Sequence, residues 1–311
     1  MKSTLKSLIP ALLPKTSGCV SRWIHPRRMA WAVFSILFGV AVHGLPALGQ
    51  TPAPRPLGNA HSHNDYMHAR PLWDALDHGF TGVEADIHLV KGKLLVSHDA
   101  KDVRPDRTLE GMYLEPLRKL VRENQGRVLR GGPVQLLLID IKTDAVPTYQ
   151  ALRKVLKSYA DILTFYGPQG KKEGAVQVIV SGNRPYELMK AEKIRYAGMD
   201  GRLTDLTSSD SADLIPMISD TWEKNFKWRG AGPIPAEERR RLQDIIRQSH
   251  SRGRWVRFWA TPDKTSPERE TVWRELWESG VDFLNSDDHP GLGQFLRRQE
   301  GKSGGKALRL P

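Results

Sequence analysis

The segment Val134–Lys142, with the sequence VQLLLIDIK, is the feature that most restricts the fold of this chain. It is almost continuously apolar, which is typical of a parallel strand that is covered on both faces. It becomes polar only at its C-terminal end, where Asp140 and Lys142 stand two residues apart. The strands of a (β/α)8 barrel deliver functional residues to the mouth of the barrel in this way. The pattern therefore favours a barrel strand whose last residues line an active site.

Other segments have the composition of strands, and most of them are separated by helical or loop stretches. The candidate strands are residues 57–61, 81–89, 134–141, 176–181, 195–199, 214–219, 254–260 and 281–286. Helices are expected at residues 146–160, 237–250 and 268–279. Eight strands with intervening crossovers predict an α/β fold, a single-domain (β/α)8 TIM barrel. A doubly wound open sheet is the alternative, because counting strands does not prove closure.

A second predicted strand places two acids, Glu84 and Asp86, on one face, since residues i and i+2 of a strand point the same way. Two carboxylates aimed at one point repel each other unless a positive group lies between them. A hard divalent cation, which takes oxygen ligands, is the simplest such group. Histidines flank the pair, with His61 and His63 before it and His98 after a predicted hairpin at residues 91–97. Histidines near such an ion could supply a general base and a general acid.

Asp140 is predicted as the third ligand of this cation, and Lys142 as a charge partner of an anionic substrate. Arg184, in the sequence SGNRP at the end of another predicted strand, is a second candidate for contact with phosphate. Because all three proposed ligands are carboxylates, Mg²⁺ or Ca²⁺ is expected rather than Zn²⁺, which favours nitrogen and sulfur.

Together these motifs resemble the phosphatidylinositol-phospholipase-C-like phosphodiesterase superfamily, in particular its glycerophosphodiester phosphodiesterases and sphingomyelinase-D-type phospholipases. In that pattern a histidine follows the first strand, E-x-D lies on the second, H-D follows a hairpin, and an acid-x-Lys strand comes later. The matching residues here are His61, Glu84, Asp86, His98, Asp99, Asp140 and Lys142. The segments HSHNDY, RTLEGMYLEPL and VDFLNSDD resemble a branch whose fungal members are named for altered inheritance of mitochondria.

The resemblance implies a metal-dependent phosphoric diester hydrolase that acts on a glycerophosphodiester or phospholipid-type substrate, with His61 and His98 as the acid–base pair. One departure concerns the first histidine, because glycerophosphodiesterases usually show His-Arg-Gly where this chain has His61-Ser-His63. Both histidines share a face of an extended segment, and counting from the strand favours His61, with His63 as the alternative. A catalytically silent barrel that binds a lipid or another ligand in the cell envelope is the alternative from another class.

Residues 1–50 predict a secretory signal peptide. They contain six Lys or Arg and no acid, and an apolar run from Met29 to Val42 precedes the small residues Ala47 and Gly49. These are the parts of a signal that is cleaved, here near Gly49, so the protein is expected to be secreted or periplasmic. An uncleaved segment that anchors the protein is the alternative. A Pro-rich lead-in (51–56), the barrel (57–297) and a flexible tail (298–311) are expected to follow.

Charge and cysteine content limit the partners. The full chain has a formal charge of +12, and removal of the six cations of the signal leaves +6. This modest positive net charge is compatible with the binding of phosphate esters and with transient contact to an anionic membrane surface. Nucleic acid is not an expected partner, because no basic stripe or binding motif accompanies the surplus. The single cysteine, Cys19, lies in the predicted signal, which excludes a cysteine nucleophile from the mature chain. A monomer is expected.

Overall fold

The computed structural model describes residues 54–302, which form a barrel of parallel strands flanked by helices. Its strands are β1 (Leu57–Ser62), β2 (Phe80–Val90), β3 (Gln135–Ile141), β4 (Val176–Gly182), β5 (Ala197–Gly201), β6 (Met217–Thr221), β7 (Trp255–Trp259) and β8 (Leu284–Ser286). The helices of this part are α1 (Trp73–Asp77), α2 (Glu115–Glu123), α3 (Ala145–Lys157), α4 (Tyr186–Ala191), α5 (Trp222–Asn225), α6 (Ala236–His250), α7 (Pro267–Ser279) and α8 (His289–Lys302). All of the predicted strands and helices are present.

The strands pair in the order β8-β1-β2-β3-β4-β5-β6-β7, and every neighbouring pair is parallel. The two ends of this path also meet. A parallel bridge joins Arg257 of β7 to Phe283, which directly precedes β8. The Phe283 amide donates to the carbonyl oxygen of Val256 at 3.2 Å. The prediction of a TIM barrel is therefore confirmed as a nearly closed barrel, and the open-sheet alternative is wrong.

The apolar run in β3 reflects burial on both faces of the strand. Its inward-facing leucines share a face with Asp140 and pack in a cluster inside the barrel, which consists of Leu136, Leu138, Ile179, Met217 and Phe283. Leu137 and Ile139 face the other way and belong to the larger core between the sheet and the helices. Apolar residues therefore occupy both faces until the strand reaches the mouth of the barrel.

The predicted start of β6 at residue 214 is three residues too early. Leu214 and Ile215 are buried, as strand residues would be, but both amides donate to the carbonyl oxygen of Ser211 in a turn. Pro216 has no amide hydrogen to add to a ladder. The strand therefore begins at Met217, and the apolar pattern extends beyond the hydrogen-bonded element.

The hairpin after β2 is present as predicted. Lys93–Val96 pairs antiparallel with the end of β2. Lys91 and Gly92 both have positive φ angles, 49° and 79°, as a tight two-residue hairpin turn requires. This turn returns the chain to the mouth of the barrel, where His98 follows.

Helix α8 continues beyond the predicted end of the barrel at residue 297. It reaches Lys302, and Gln299 and Glu300 are buried, so the first residues of the predicted tail are part of the packed domain. The predicted signal peptide (1–50), residues 51–53 of the lead-in and the tail beyond residue 302 lie outside the described residues. Within residues 54–302, no helix combines the length and the apolar character that crossing a membrane requires.

Candidate active site

A cavity of about 370 Å³ opens where the barrel strands end. Active sites of (β/α)8 barrels lie at this end, because the loops after the strands can vary without disturbing the barrel. The lining side chains belong to the C-terminal parts of strands and to the loops that follow them. They are His63, Asn64, Glu84, Asp86, His98, Asp140, Lys142, Ser181, Arg202, Arg257, Trp259 and Ala260.

The parallel register of β2 and β3 brings three carboxylates together in this cavity. Glu84 and Asp86 are two residues apart on β2, and Asp86 lies directly beside Asp140 of β3. One carboxylate oxygen of each residue lies within 4.8 Å of the others. Glu84 and Asp86 are buried and Asp140 is half-buried. Acids that are distant in sequence therefore form a single cluster.

Glu84 is held by side chains from two other strands. Its Oε2 atom accepts a hydrogen bond from Arg257 of β7 at 2.7 Å and lies 3.4 Å from Nε2 of His61 of β1. Burial raises the pKa of Glu84, but the charge of Arg257 and the hydrogen bond with His61 outweigh burial and hold the pKa well below its ordinary value. Glu84 is therefore an anion at neutral pH.

Lys142 bridges the other two acids. Its Nζ atom lies 3.0 Å from Oδ2 of Asp86 and 3.1 Å from Oδ1 of Asp140. The hydroxyl of Tyr66 also donates to Oδ2 of Asp86, at 2.7 Å. Burial and the charge of Glu84 nevertheless raise the pKa of Asp86 to about 6, and burial raises the pKa of Asp140 as well. The raised pKa values show that Lys142 does not fully offset the burial and mutual repulsion of these carboxylates.

The acid cluster fits a divalent cation. Oδ1 of Asp86 is buried and has no hydrogen-bond partner among the described residues, which is costly unless another group satisfies it. The cluster offers only carboxylate oxygens, the donors that Mg²⁺ and Ca²⁺ take. A cation at this position would satisfy the unpaired oxygen and offset the repulsion between the acids. The three residues predicted as ligands are thus placed suitably for that role.

The two histidines of the first motif occupy different environments. Strand β1 ends at Ser62, and His63, whose amide still donates to the carbonyl oxygen of Ser286 of β8, lies two residues nearer the mouth of the barrel than His61. His63 lines the cavity, whereas His61 is fully buried and contacts Glu84. The expectation that His61 is the histidine facing the cavity is therefore corrected in favour of His63. A catalytic role for either residue stays a prediction.

The electrostatics of the two histidines differ as well. Nδ1 of His63 lies 2.9 Å from Oδ1 of Asp287. Burial lowers the pKa of His63, but the hydrogen bond with Asp287 and the charge of Glu84 outweigh it and raise the pKa above its ordinary value. Burial and the charge of Arg257 lower the pKa of His61 to about 4. His61 is therefore neutral at physiological pH, and its ring contacts Glu84 from the interior of the barrel.

His98 reaches the cavity from the hairpin that follows β2. Its side chain is 56% exposed, and Nδ1 lies 3.1 Å from Oδ1 of Asp99. His88 of β2 holds the end of this hairpin, since its Nε2 lies 3.1 Å from the carbonyl oxygen of Ser97 and 3.3 Å from that of His98. The structure therefore brings His63 and His98 to the same cavity from different loops.

The two predicted phosphate-binding cations are placed differently. Lys142 lies in the cavity, whereas Arg184 is not among its lining residues and donates to the carbonyl oxygen of Asp200. Arg202 lines the cavity instead. It is anchored by Oδ2 of Asp200 at 2.6 Å and lies 3.3 Å from Oγ of Ser181. The structure thus supplies Arg202 as a cationic side chain where the sequence suggested Arg184.

Sequence reasoning gave no role to Arg202, although a signal was present. Asp200-Gly-Arg202 repeats, at the end of β5, the acid-x-base order of Asp140-Ile-Lys142 at the end of β3. No comparable local signal marks Arg257, because its partner Glu84 is 173 positions away in the chain.

The motifs HSHNDY and RTLEGMY are coupled through hydrogen bonds. Asp65 is buried and accepts from the hydroxyl of Ser62 at 2.8 Å, the amide of Leu72 at 2.6 Å and the hydroxyl of Tyr113 at 2.8 Å. Arg107 donates to the carbonyl oxygen of Tyr66. The second motif therefore fixes the loop that carries His63.

The fold and the site together define a (β/α)8-barrel protein with a candidate cation centre at its strand ends. Comparison with known proteins narrows the assignment. The family model of the AIM6-like phosphodiesterase domain matches residues 55–200. Altered inheritance of mitochondria protein 6 of Eremothecium gossypii is 30% identical over 270 residues, covering 77% of this chain and 69% of that protein. A homologue from Arthroderma benhamiae is 28% identical over 253 residues, covering 73% and 80%. The chain therefore belongs to the AIM6-like family, which confirms the resemblance seen in the sequence.

Two solved structures show a more distant likeness. A calcium-dependent phosphoinositol-specific phospholipase C from Pseudomonas sp. has a TM-score of 0.46 and 11% identity, covering 76% of this chain and 91% of that one. A glycerophosphoryl diester phosphodiesterase from Parabacteroides distasonis has a TM-score of 0.43 and 16% identity, covering 80% and 88%. The assignment of the barrel rests on the strand pairing described above.

Proposed function

We propose that this protein is a metal-dependent phosphoric diester hydrolase that acts on a glycerophosphodiester or phospholipid-type substrate. The observation that carries the proposal is the convergence of three carboxylates suited to a divalent cation with His63 and His98 in one cavity. Membership of a family whose domain is described as a phosphodiesterase supports the same class of reaction.

In this proposal Glu84, Asp86 and Asp140 hold the cation, Mg²⁺ or Ca²⁺. When bound, the cation supplies Lewis-acid stabilisation of the negative charge on the phosphoryl oxygens. Lys142 and Arg202 add fixed positive charge to the same cavity, which stabilises charge that develops in the transition state. Arg202 here takes the phosphate-binding role that the sequence suggested for Arg184.

His63 is the proposed general base. When Nδ1 carries the proton that it donates to Asp287, Nε2 is free to accept the proton of the attacking hydroxyl. In this tautomer Asn64, whose Nδ2 lies 2.9 Å from the same Nδ1, does not donate to it. His98 is the proposed general acid, which protonates the leaving alcohol oxygen as the P–O bond breaks. The attacking hydroxyl belongs either to water or to the substrate itself, and the second route gives a cyclic phosphate.

A panel of phosphodiesters tests class, metal and substrate together. It contains bis-p-nitrophenyl phosphate, glycerophosphocholine, phosphatidylinositol and a lysophospholipid, each assayed with chelator and after return of Mg²⁺ or Ca²⁺. We expect hydrolysis that chelator abolishes and a cation restores, and phosphorus NMR of the products distinguishes cyclic from open phosphates. Full activity in excess chelator would contradict the cation centre. No hydrolysis of any diester in the presence of both cations would contradict the hydrolase.

We also propose, from the sequence alone, that the protein is exported after cleavage near Gly49 and acts as a monomer with transient contact to a membrane surface. N-terminal sequencing of the exported protein tests the cleavage. A start at residue 1 or at Met29 in the exported protein would show that the segment is retained as an anchor.

A further inference from the structure

We propose that Arg257 determines which cation the site prefers. By binding one oxygen of Glu84, it keeps this carboxylate a one-oxygen ligand, which favours Mg²⁺ over Ca²⁺. The inference rests on the proposed cation centre and goes beyond it, because it assigns the selectivity of that centre to a residue that is not a ligand.

Arg257 is placed rigidly for this task. It lies on β7, is only 3% exposed, and donates to Oε2 of Glu84 at 2.7 Å across the mouth of the barrel. Nε2 of His61 approaches the same oxygen at 3.4 Å. Among the described residues, no hydrogen bond involves the other oxygen, Oε1. Glu84 therefore has one oxygen committed to the protein and one available to a cation.

At Asp86 and Asp140, likewise, protein donors contact one of the two carboxylate oxygens. Asp86 accepts from Tyr66 and Lys142 through Oδ2, and its Oδ1 atom is buried without a partner among the described residues. Asp140 contacts Lys142 through Oδ1. Protein donors thus occupy one oxygen of every carboxylate in the cluster.

One-oxygen ligands suit Mg²⁺ better than Ca²⁺. Ca²⁺ takes about six to eight oxygens in flexible geometry and often uses both oxygens of one carboxylate. Mg²⁺ requires octahedral geometry and keeps several positions for water and phosphate oxygens. If Glu84 turned to offer both oxygens, Arg257 would lose its partner while it remained buried, and an unpaired buried charge is costly. Arg257 therefore opposes the arrangement that would favour Ca²⁺.

The experiment measures the ratio of the Kd values for Mg²⁺ and Ca²⁺ by isothermal titration calorimetry, without substrate. Both ions carry the same charge, so removal of the positive charge of Arg257 affects both affinities in the same direction and largely cancels in the ratio. For Arg257→Met we expect the ratio to shift toward Ca²⁺ by up to about tenfold, since loss of a residue that orients a metal ligand changes the affinity for one metal by at least about that factor. Arg257→Lys, which keeps the charge and a donor, should shift the ratio less.

Arg254→Met is the matched control. Arg254 is also buried, at 0% exposure, but it donates only to the backbone carbonyl oxygens of residues 205, 208 and 210. Its removal should lower stability and leave the ratio unchanged. If Arg257→Met does not fold, Arg257→Gln is the second variant, because its shorter side chain keeps a polar end in the buried site but does not reach Glu84, and it should shift the ratio in the same direction.

The outcomes separate the inference from the proposed function. A wild-type protein that binds Mg²⁺ or Ca²⁺, with an unchanged ratio in Arg257→Met, overturns the role of Arg257 and leaves the cation centre intact. If only Arg257→Gln folds, an unchanged ratio in that variant has the same meaning. A wild-type protein that binds neither cation overturns the cation centre and with it the role of Arg257.

Discussion

His63 lies just beyond the end of β1, and a turn begins at the next residue. Asn64 has a φ of 47°, a left-handed conformation that asparagine adopts more readily than most residues. His63 lies beside Asp287 at the mouth of the barrel, whereas His61, two residues earlier on the strand, lies in the barrel interior and contacts Glu84. At the scale of single residues, two positions along the chain thus separate a histidine that lines the cavity from one that supports a carboxylate.

Replacement of His63 by Ala is expected to lower kcat by roughly 10²–10⁴-fold, the usual contribution of a general acid or base. His98→Ala should have a comparable effect, and the double variant should be little worse than the poorer single one, since the two act as a unit. A p-nitrophenolate leaving group, which needs no proton, should partly rescue His98→Ala.

His61→Ala should instead weaken cation binding, because Glu84 loses a partner, and calorimetry with Mg²⁺ provides this second measurement. Cation affinity should be preserved in His63→Ala and His98→Ala. A larger loss of kcat in His61→Ala than in His63→Ala, at saturating cation, would reverse the assignment of the base.

The pKa of His63 predicts the acid limb of the pH–rate profile. A general base must be neutral, and the pKa of His63 is raised above 6.5 by Asp287 and Glu84 against the effect of burial. kcat/KM should therefore fall as the pH drops through this raised value. Asp287→Asn removes a negative partner and should move the acid limb to lower pH, while it also reduces the maximal rate. Asp288→Asn, which changes the adjacent acid that pairs with Arg269, should leave the limb in place. An unmoved limb in Asp287→Asn would show that another group sets it.

At the scale of elements, the segment between the hairpin and α2 holds in place the loop that carries His63. Residues Glu110–Leu114 form a single π-helical turn, a widened helix that often occurs near functional sites. This turn buries Tyr113 and aims its hydroxyl at Asp65. The RTLEGMY motif therefore has a structural role that complements the HSHNDY loop.

Tyr113→Phe is expected to lower the free energy of unfolding by about 1–3 kcal/mol, because a buried carboxylate loses one of its three donors. Urea denaturation followed by circular dichroism gives this value. Tyr159→Phe is a suitable control, since the Tyr159 hydroxyl bonds Glu115 in a part-buried position away from the cavity. An equal decrease of the free energy of unfolding in the two variants would show that the hydrogen bond from Tyr113 to Asp65 stabilises the protein no more than the one from Tyr159 to Glu115.

The elements were predictable from sequence because their signals are local. β3 was visible as an apolar run that ends in Asp140 and Lys142, and α7 shows a Ser266 N-cap, Pro267 in its first turn and Gly280 with φ of 92° at its end. The acid cluster was predictable because alternation fixes Glu84 and Asp86 on one face. The choice between His61 and His63 was not predictable, because it depends on how far along β1 the mouth of the barrel lies, which the local sequence does not mark.

At the scale of the whole molecule, contacts between elements that are distant in the chain complete the site, and these have no local signal. Arg257 reaches Glu84 only because the barrel closes between β7 and β8. Asp287 reaches His63 only because β8 pairs with β1. Closure therefore does more than bury apolar surface, since it brings residues from the last strands to the acids and histidines of the first ones.

The contact between β1 and the start of α8, beside the closure of the barrel, should make the free energy of unfolding depend on pH in acid. His289, the first residue of α8, is 2% exposed, lies 2.6 Å from the Ser62 hydroxyl of β1, and stacks on His68 with ring centroids 3.9 Å apart. Burial, with the nearby His68 and His78, lowers the pKa of His289 to about 4, against the opposing effect of Asp74 and Asp287. The folded protein thus keeps this ring neutral where the unfolded chain protonates it.

The stabilisation that His289 contributes should be present in full above about pH 6.5 and be lost as the pH falls toward about 4, because only the unfolded state takes up the proton in this interval. At about 1.4 kcal/mol per pH unit, the loss amounts to roughly 3 kcal/mol. The measurement is the free energy of unfolding in urea between pH 7 and pH 4 for the wild type and for His289→Gln, which does not titrate. Other titrating groups contribute alike to both proteins, so the difference between the two curves isolates His289. The wild-type curve should fall more steeply with decreasing pH, and parallel curves would show that His289 is not held neutral by the fold.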